Sequence, residues 1–378
     1  MSDLNHRVLL AARPDGLVKE EDFTHDAQPI PEPGPGEVLV EVVAAGICGS
    51  DKTCVSHADG FNRASQSLMG IDMLDVEAPI VLGHEFVAKV LAYGTETQQA
   101  IPIGTRVVSM PMLLRQQPVL LGFAGPEAPG AFAERMVLSE ALLIPVPDDL
   151  ATEVAVLTEP MAVALRSVNR VETCVDDAPL VLGCGPIGLA VIAVLKMRGV
   201  GPIIAADLSA ERRDFAKALG ADVTIDPTVE SPYDAWMQTA ATDDPARMAP
   251  PTAVFGQLPL RPTVGFECTG APGLLQQLVA GAPAGTRISV AGINLDPDVI
   301  EPAHGILKEL DIRFSLYYSP QEFAETVEFL ASGRLEVEAL ITRWVGLDGV
   351  AEAFDRLGAE PTDAKILIDP SALTAEFS

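Results

Sequence analysis

Basic residues are scarce in this chain. Lysine and arginine number 25 against 53 aspartates and glutamates, a formal charge of −28 at pH 7. So acidic a surface repels nucleic acid and anionic membranes, which argues against both as partners. Cysteine is scarce too: residues 48, 54, 174, 184 and 268, an odd count with no CxxC pair. That argues against a disulfide framework and for a reducing compartment. The opening stretch MSDLNHRVLLAARPDG lacks a long apolar run and a cleavage pattern, which predicts a cytoplasmic chain. Residues 178–195 carry no charge, a length approaching a membrane span, yet three glycines and Pro186 among the first eleven residues weaken a spanning helix.

What is present is globular. With 378 residues, 48% of them hydrophobic, the chain can build two domains with substantial cores. The uncharged run is better read as a phosphate-cradling turn. A short apolar strand (Leu180, Val181, Leu182) leads into Gly183-x-Gly185-x-x-Gly188 and then an apolar helix. The first glycine permits a tight turn and the second lets the backbone approach a pyrophosphate. The third lets helix and strand pack closely, with the helix N-terminus facing the phosphates. Gly183, Gly185, Pro186, Ile187 and Gly188 are the candidate cradle. Asp207 follows about 20 residues later, where a carboxylate accepts hydrogen bonds from the adenosine ribose. Its charge would repel the 2′-phosphate of NADP, so NAD is the expected cofactor. Arg212 and Arg213, close behind, keep NADP as the second candidate.

The chain changes pattern near residue 166. Residues 1–165 read as strand-rich, with strands expected at 36–46, 85–93 and 105–110. Residues 55–79 show no strong period, and 111–130 read as a loop or lobe. From 166 to 314 strands and helices alternate, which implies βαβ units on a doubly wound parallel sheet, a Rossmann domain. The alternation fails between Pro227 and Pro262, where seven prolines crowd and only Tyr233–Ala240 has helical character. Residues 315–378 return to the first domain with two core-facing helical stripes, Phe323, Val327, Leu330 and Val350, Phe354, Leu357, and a closing strand, AKILIDP.

Candidate metal ligands sit outside the nucleotide domain. Cys48 lies in GICGSD, His84 and Glu85 in VLGHE, and Glu159 in TEPMAVAL. Thiolate, imidazole and carboxylate together suit zinc, with a position left open for substrate. Each residue taken singly also has a structural reading: a small apolar thiol, a satisfied histidine, a helix-opening glutamate.

In order along the chain, PxPGPGEVLVEVxAxGICGSD, GHEFxAxV, GTRVV, EPMAVAL, GCGPIGL, FECTG and AKILIDP resemble the zinc-dependent medium-chain dehydrogenase/reductases, the alcohol, polyol and threonine dehydrogenase group. The resemblance covers nearly the whole chain. It implies an α/β fold, a GroES-like strand-rich catalytic domain beside the Rossmann domain. It also implies zinc- and NAD-dependent oxidation of a secondary alcohol or polyol, by hydride transfer to nicotinamide. Cys48, His84 and Glu159 match the family's catalytic zinc ligands, and Glu85 a carboxylate that ligates or supports them. Asp51 matches a residue that orients the ligands, and Ser50 the hydroxyl that contacts the substrate oxygen. Thr269 and Gly292 match positions beside the nicotinamide, and Lys365 a basic residue near the pyrophosphate, or else a solvated lysine. Family precedent implies a homodimer or homotetramer, with a small alcohol or carbonyl compound as substrate.

The chain departs from the family in four places. The stretch SMPMLLRQQPVLLGFAGPEAPG holds none of the four cysteines of a structural zinc, so one zinc per subunit is expected. Thr53 stands where a relay histidine is common, which leaves water or a neighbour such as His57 to carry the proton. The separation of Cys48 from His84 is longer than usual, and the extra residues, about 55–75, are expected near the substrate cleft; Cys54 and His57 fall there in no common zinc spacing. Ala88 replaces a glycine with no evident consequence. Two other functions share the scaffold: a zinc-independent enoyl or quinone reductase, which would dispense with the ligands retained here, and a non-catalytic dinucleotide-binding protein.

Overall fold

Alternation of buried and exposed side chains over 37–46 produces the central strand of the first sheet. In the computed structural model, which describes residues 4–10, 22–70, 72–74, 78–359 and 362–372, Glu37–Gly46 is a strand that buries Val38, Val40, Val42 and Ala44. The chain divides into two units. The first is Met1–Glu159, Phe323–Ala331 and Ile341–Ser378; the second is Pro160–Glu322 and Ser332–Leu340.

A seven-stranded sheet dominates the first unit. Its order is Ile341–Gly346, Lys365–Asp369, Glu37–Gly46, Glu85–Tyr93, Arg106–Ser109, Leu143–Pro145, with Arg135–Ser139 also paired to Glu37–Gly46. Val38, Phe86, Phe132, Leu138, Phe354 and Ile366 share its core. The antiparallel register sets Gly46 directly opposite Glu85. A Cβ on Gly46 would collide with the Glu85 carboxylate, so glycine here keeps room for a buried acid. The helical stripes of the C-terminal part are buried as expected at Phe323, Val327, Leu330, Val350 and Phe354.

The stretch 55–79 differs from expectation over its first part, residues 55–69. In place of an excursion without a strong period they hold the end of one helix, Gly49–Ser56, and a second, Ala58–Met69. The second is fastened by one side chain: Asn62 Nδ2 donates to Leu74 O and its Oδ1 accepts from Leu74 N, both at 2.9 Å. Leu74 is itself buried. The 111–130 lobe carries the short strand pair Met112–Leu113 and Val119–Leu120 and one 3-10 turn, Gly125–Glu127. Arg115 holds it, donating from Nε to Glu37 Oε1 (2.9 Å) and from Nη1 to Glu127 O (2.8 Å).

The second unit is a six-stranded sheet, every neighbouring pair parallel. Its order is Val223–Ile225, Ile204–Ala206, Ala178–Leu182, Thr263–Glu267, Arg287–Val290, Asp311–Phe314. Counted along the chain this is 3-2-1-4-5-6, the doubly wound dinucleotide-binding order. Leu180, Ile204, Trp236, Leu278 and Ile288 belong to its core. The proline-rich segment holds one α-helix, Pro232–Ala240, tied down where Trp236 Nε1 donates to Ala178 O at 2.8 Å. Among the described residues no helix is long and apolar enough to cross a membrane.

Candidate active site

The sheet of the first unit delivers three candidate ligands from two segments. Cys48 follows the central strand as the N-cap of Gly49–Ser56, and His84 and Glu85 open the neighbouring strand. Their ligand atoms all lie within 4.8 Å of one another. Asp51 organises the pocket. It is fully buried, and its Oδ2 accepts from Cys48 N (2.9 Å) while its Oδ1 lies 3.0 Å from His84 Nδ1. This leaves His84 Nε2 toward Cys48, the tautomer a metal ligand needs. Burial disfavours a charged His84, but the Asp51 carboxylate and the Cys48 sulfur outweigh it and raise its pKa well above the ordinary imidazole range. Ser50 Oγ bridges the pair, donating to Cys48 Sγ at 3.1 Å and lying 3.2 Å from His84 Nε2.

A thiol, an imidazole and a carboxylate converging this closely form a donor set that fits zinc. Glu159, buried on the first turn of Thr158–Arg170, stands outside the three-atom cluster, yet its charge reaches Lys365.

Lys365 requires a correction. It is neither solvated nor free for a pyrophosphate. It is buried, and its ammonium donates to Glu85 Oε1 (2.7 Å), Glu85 Oε2 (2.8 Å) and Ile47 O (3.1 Å). Three donors meet three acceptors, so nothing remains for a phosphate. Burial disfavours the ammonium, but Glu85 more than compensates and its pKa is raised. The partner is 280 residues away in sequence, which hides the pairing from any local pattern.

One aromatic ring borders the cluster, and a second packs on it. The Phe123 ring lies against His84, centroids 4.9 Å apart, and Phe61 from Ala58–Met69 stacks on Phe123 at 6.0 Å. His57 pairs with Ser56 Oγ at 2.9 Å rather than with Ser50. The side chain of Cys54 lies outside the described residues, so its pattern with His57 stands as a sequence observation only.

The second unit builds the glycine turn. Gly183 closes the strand Ala178–Leu182 at φ +89°, a backbone region that favours glycine. A Cβ at Gly188 would collide with Gly183 O, whereas one at Gly185 meets nothing within 4 Å. The turn is therefore tight at Gly183 and Gly188 and open at Gly185. Pro186–Met197 follows as a helix with proline in its first turn and no side-chain cap, so its N-terminal amides lack a side-chain acceptor. Asp207 is tied to the turn, accepting from Cys184 N (2.7 Å) and Ser209 N (2.9 Å). Arg213 is occupied: its Nη1 donates to Asp207 O and Leu208 O, and its Nη2 lies 3.1 Å from Asp226. Burial, then the Asp207 charge, pushes the Cys184 thiol up to about 12.

Thr269 and Gly292 meet at a knot around Glu267, a residue sequence reasoning overlooked inside FECTG. Glu267 Oε1 accepts from Thr269 N (2.7 Å), Thr269 Oγ1 (2.6 Å) and Gly270 N (2.9 Å). A Cβ on Gly292 would strike Gly270 N, which leaves glycine as the residue that fits.

Comparison with known proteins agrees with both units. Residues 34–148 match the alcohol dehydrogenase GroES-like domain and residues 186–332 the zinc-binding dehydrogenase domain. The chain is 31% identical over 353 residues to (R,R)-butanediol dehydrogenase of Bacillus subtilis (strain 168), covering 90% of this chain and 94% of the relative. It is 29% identical over 346 residues to sorbitol dehydrogenase of Homo sapiens, covering 88% and 89%. The crystal structure of 2R,3R-butanediol dehydrogenase from Bacillus subtilis superposes with a TM-score of 0.77 at 28% identity, over 97% of this chain and all of that one. With its GroES-like and parallel-sheet units in the family's order, the chain belongs to the zinc-dependent medium-chain dehydrogenase/reductases.

Proposed function

We propose that the chain oxidises a secondary alcohol or polyol to its carbonyl with NAD, using one zinc held by Cys48 and His84 with Glu85 or Glu159. The observation that carries this is the convergence of Cys48, His84 and Glu85 within 4.8 Å, with Ser50 bonded to two of the three. Zinc, when bound, supplies Lewis acidity toward the alcohol oxygen, and NAD accepts the hydride. The chain's own residues do the rest. Asp51 fixes His84 in the ligating tautomer, Lys365 neutralises Glu85, and Ser50 Oγ receives the hydroxyl proton and passes it outward. Thr53 and the His57–Ser56 pair support release to water, since neither supplies an imidazole bonded to Ser50.

Asp207, with Arg213 already committed, supports NAD over NADP. The glycine turn and the uncapped helix behind it support the pyrophosphate cradle, with Thr269 and Gly292 at the nicotinamide end. The edge strand Asp311–Phe314 leaves Phe314 64% and Leu316 73% exposed, which supports a homodimer or larger homo-oligomer joined through the second unit. Scattered cysteines support the cytoplasm. The deciding experiment is NADH production over a panel of polyols, 2-alkanols and aryl alcohols, with and without a chelator. Chelator-sensitive NADH formation is expected; chelator-resistant NADH formation would refute the zinc, and no NADH from any alcohol beside NAD(P)H consumption with an enone or quinone would favour the zinc-independent reductases.

A further inference from the structure

We propose that Phe61 and Phe123 form an apolar wall beside the metal-ligand cluster, selecting alcohols with an alkyl or aryl group next to the carbinol over those flanked by hydroxyls. The inference deepens the dehydrogenase reading above and rests on it for the place where the alcohol oxygen binds.

Three observations carry it. The first is contact. Phe123 lies against the His84 ring at 4.9 Å between centroids, and Phe61 stacks on Phe123 at 6.0 Å and 22° between planes. Any molecule whose oxygen reaches the Cys48–His84–Glu85 atoms has an aromatic ring as a near neighbour. Both rings are only partly buried, so each keeps surface to offer.

The second is order. Phe61 sits on Ala58–Met69, a helix within the stretch that lengthens the Cys48–His84 separation, and Asn62 beside it clasps Leu74 through two hydrogen bonds. Ala58 and Leu74 are both buried in the core of the first unit, and Phe61 packs against that core. A residue so anchored presents a fixed surface rather than a mobile one.

The third is what the polar groups are doing. Asp51 is spent on Cys48 and His84, and Glu85 is spent on Lys365. Ser50, beside Cys48 and His84, serves the reacting hydroxyl in the function proposed above and not a neighbouring one. A polyol hydroxyl set against two phenyl rings gives up water and finds no replacement, whereas an alkyl or aryl group gains by leaving water. Aromatic pairs add to that gain when the guest is itself aromatic.

The test is calorimetric titration of zinc-loaded, NAD-free protein with 1-phenylethanol and with sorbitol, so that no turnover is needed. Wild type is expected to bind 1-phenylethanol more tightly. Phe61→Ala is expected to weaken that binding about tenfold, the scale on which an apolar pocket discriminates, and to leave sorbitol within about twofold. Phe61→Leu, which keeps apolar volume, should restore most of the affinity and shows that the helix has not collapsed. Tighter binding of sorbitol by wild type, or equal loss of both ligands in Phe61→Ala, overturns the wall. NADH production from the same alcohols separates the two claims. If the binding preference holds but no alcohol yields NADH, the dehydrogenase reading falls and the wall stands. If NADH forms and Phe61→Ala shifts no preference, the wall falls and the dehydrogenase stands.

Discussion

Replacing Asp51 by asparagine probes the cluster with a change of one atom. Asp51 is fully buried and its two oxygens serve two donors, Cys48 N at 2.9 Å and His84 Nδ1 at 3.0 Å. Asparagine keeps one acceptor and turns an NH₂ toward the other donor. Either the helix cap at Cys48 or the orientation of His84 is lost, and a hydrogen bond to a charged group is worth about 1.5–3 kcal/mol. Removing the partner of a metal-ligating histidine lowers metal affinity about 10–100-fold. At about 1.4 kcal/mol per factor of ten, that range agrees with the hydrogen-bond figure. We therefore expect Asp51→Asn to bind zinc about 10–100-fold more weakly in competition with a chromophoric chelator, with a lowered Tm. A folded variant, checked by circular dichroism, whose zinc affinity stays within about twofold of wild type would refute the reasoning.

Other consequences follow from the same geometry. Lys365→Met leaves the fully buried Glu85 carboxylate without its cation, and breaking such a pair costs about 3–5 kcal/mol; denaturant unfolding should report a loss of that order, and an unchanged midpoint would contradict the buried pair. Asp207→Gly removes an acceptor that also braces Cys184, so the Kd for NADH should rise by about tenfold or more; equal binding to variant and wild type would deny Asp207 its role. Cys184, pushed up to about 12 chiefly by burial, should resist alkylation at about pH 8 while exposed Cys174 labels readily, as peptide mass mapping would show. Since folding raises that thiol pKa above the ordinary value near 9, its stabilising contribution is complete below pH 9 and is lost as pH climbs toward 12. Unfolding free energy should accordingly fall over that alkaline window, and Cys184→Ala should fall less steeply.

Regular periodicity carried the sequence reading furthest. The strands Glu37–Gly46 and Glu85–Tyr93 and the helix Pro186–Met197 stand where alternation and the glycine turn put them, because burial on one face leaves its period in the residues. Ala58–Met69 hides its helical period behind few large hydrophobes. Its buried positions, among the described residues, are Ala58, Gly60 and Ser65, none of them a large hydrophobe, and its order rests on the Asn62 clasp across 12 residues. Lys365 was misread for a related reason. The family resemblance offered a pyrophosphate contact and the bare residue a solvated lysine, and only the fold brings it to Glu85. Ligand identity was legible because motifs name residue types, whereas the contacts of Phe123 with His84 and with Phe61 appear only in three dimensions.

Zinc titration of chelator-treated protein, read as NADH production from a secondary alcohol, tests the central claim most directly. One zinc per chain held at Cys48, His84 and a neighbouring glutamate predicts activity that rises linearly and stops at one equivalent, with Cys48→Ala silent throughout. A plateau at two equivalents, or full activity before any zinc is added, would contradict it.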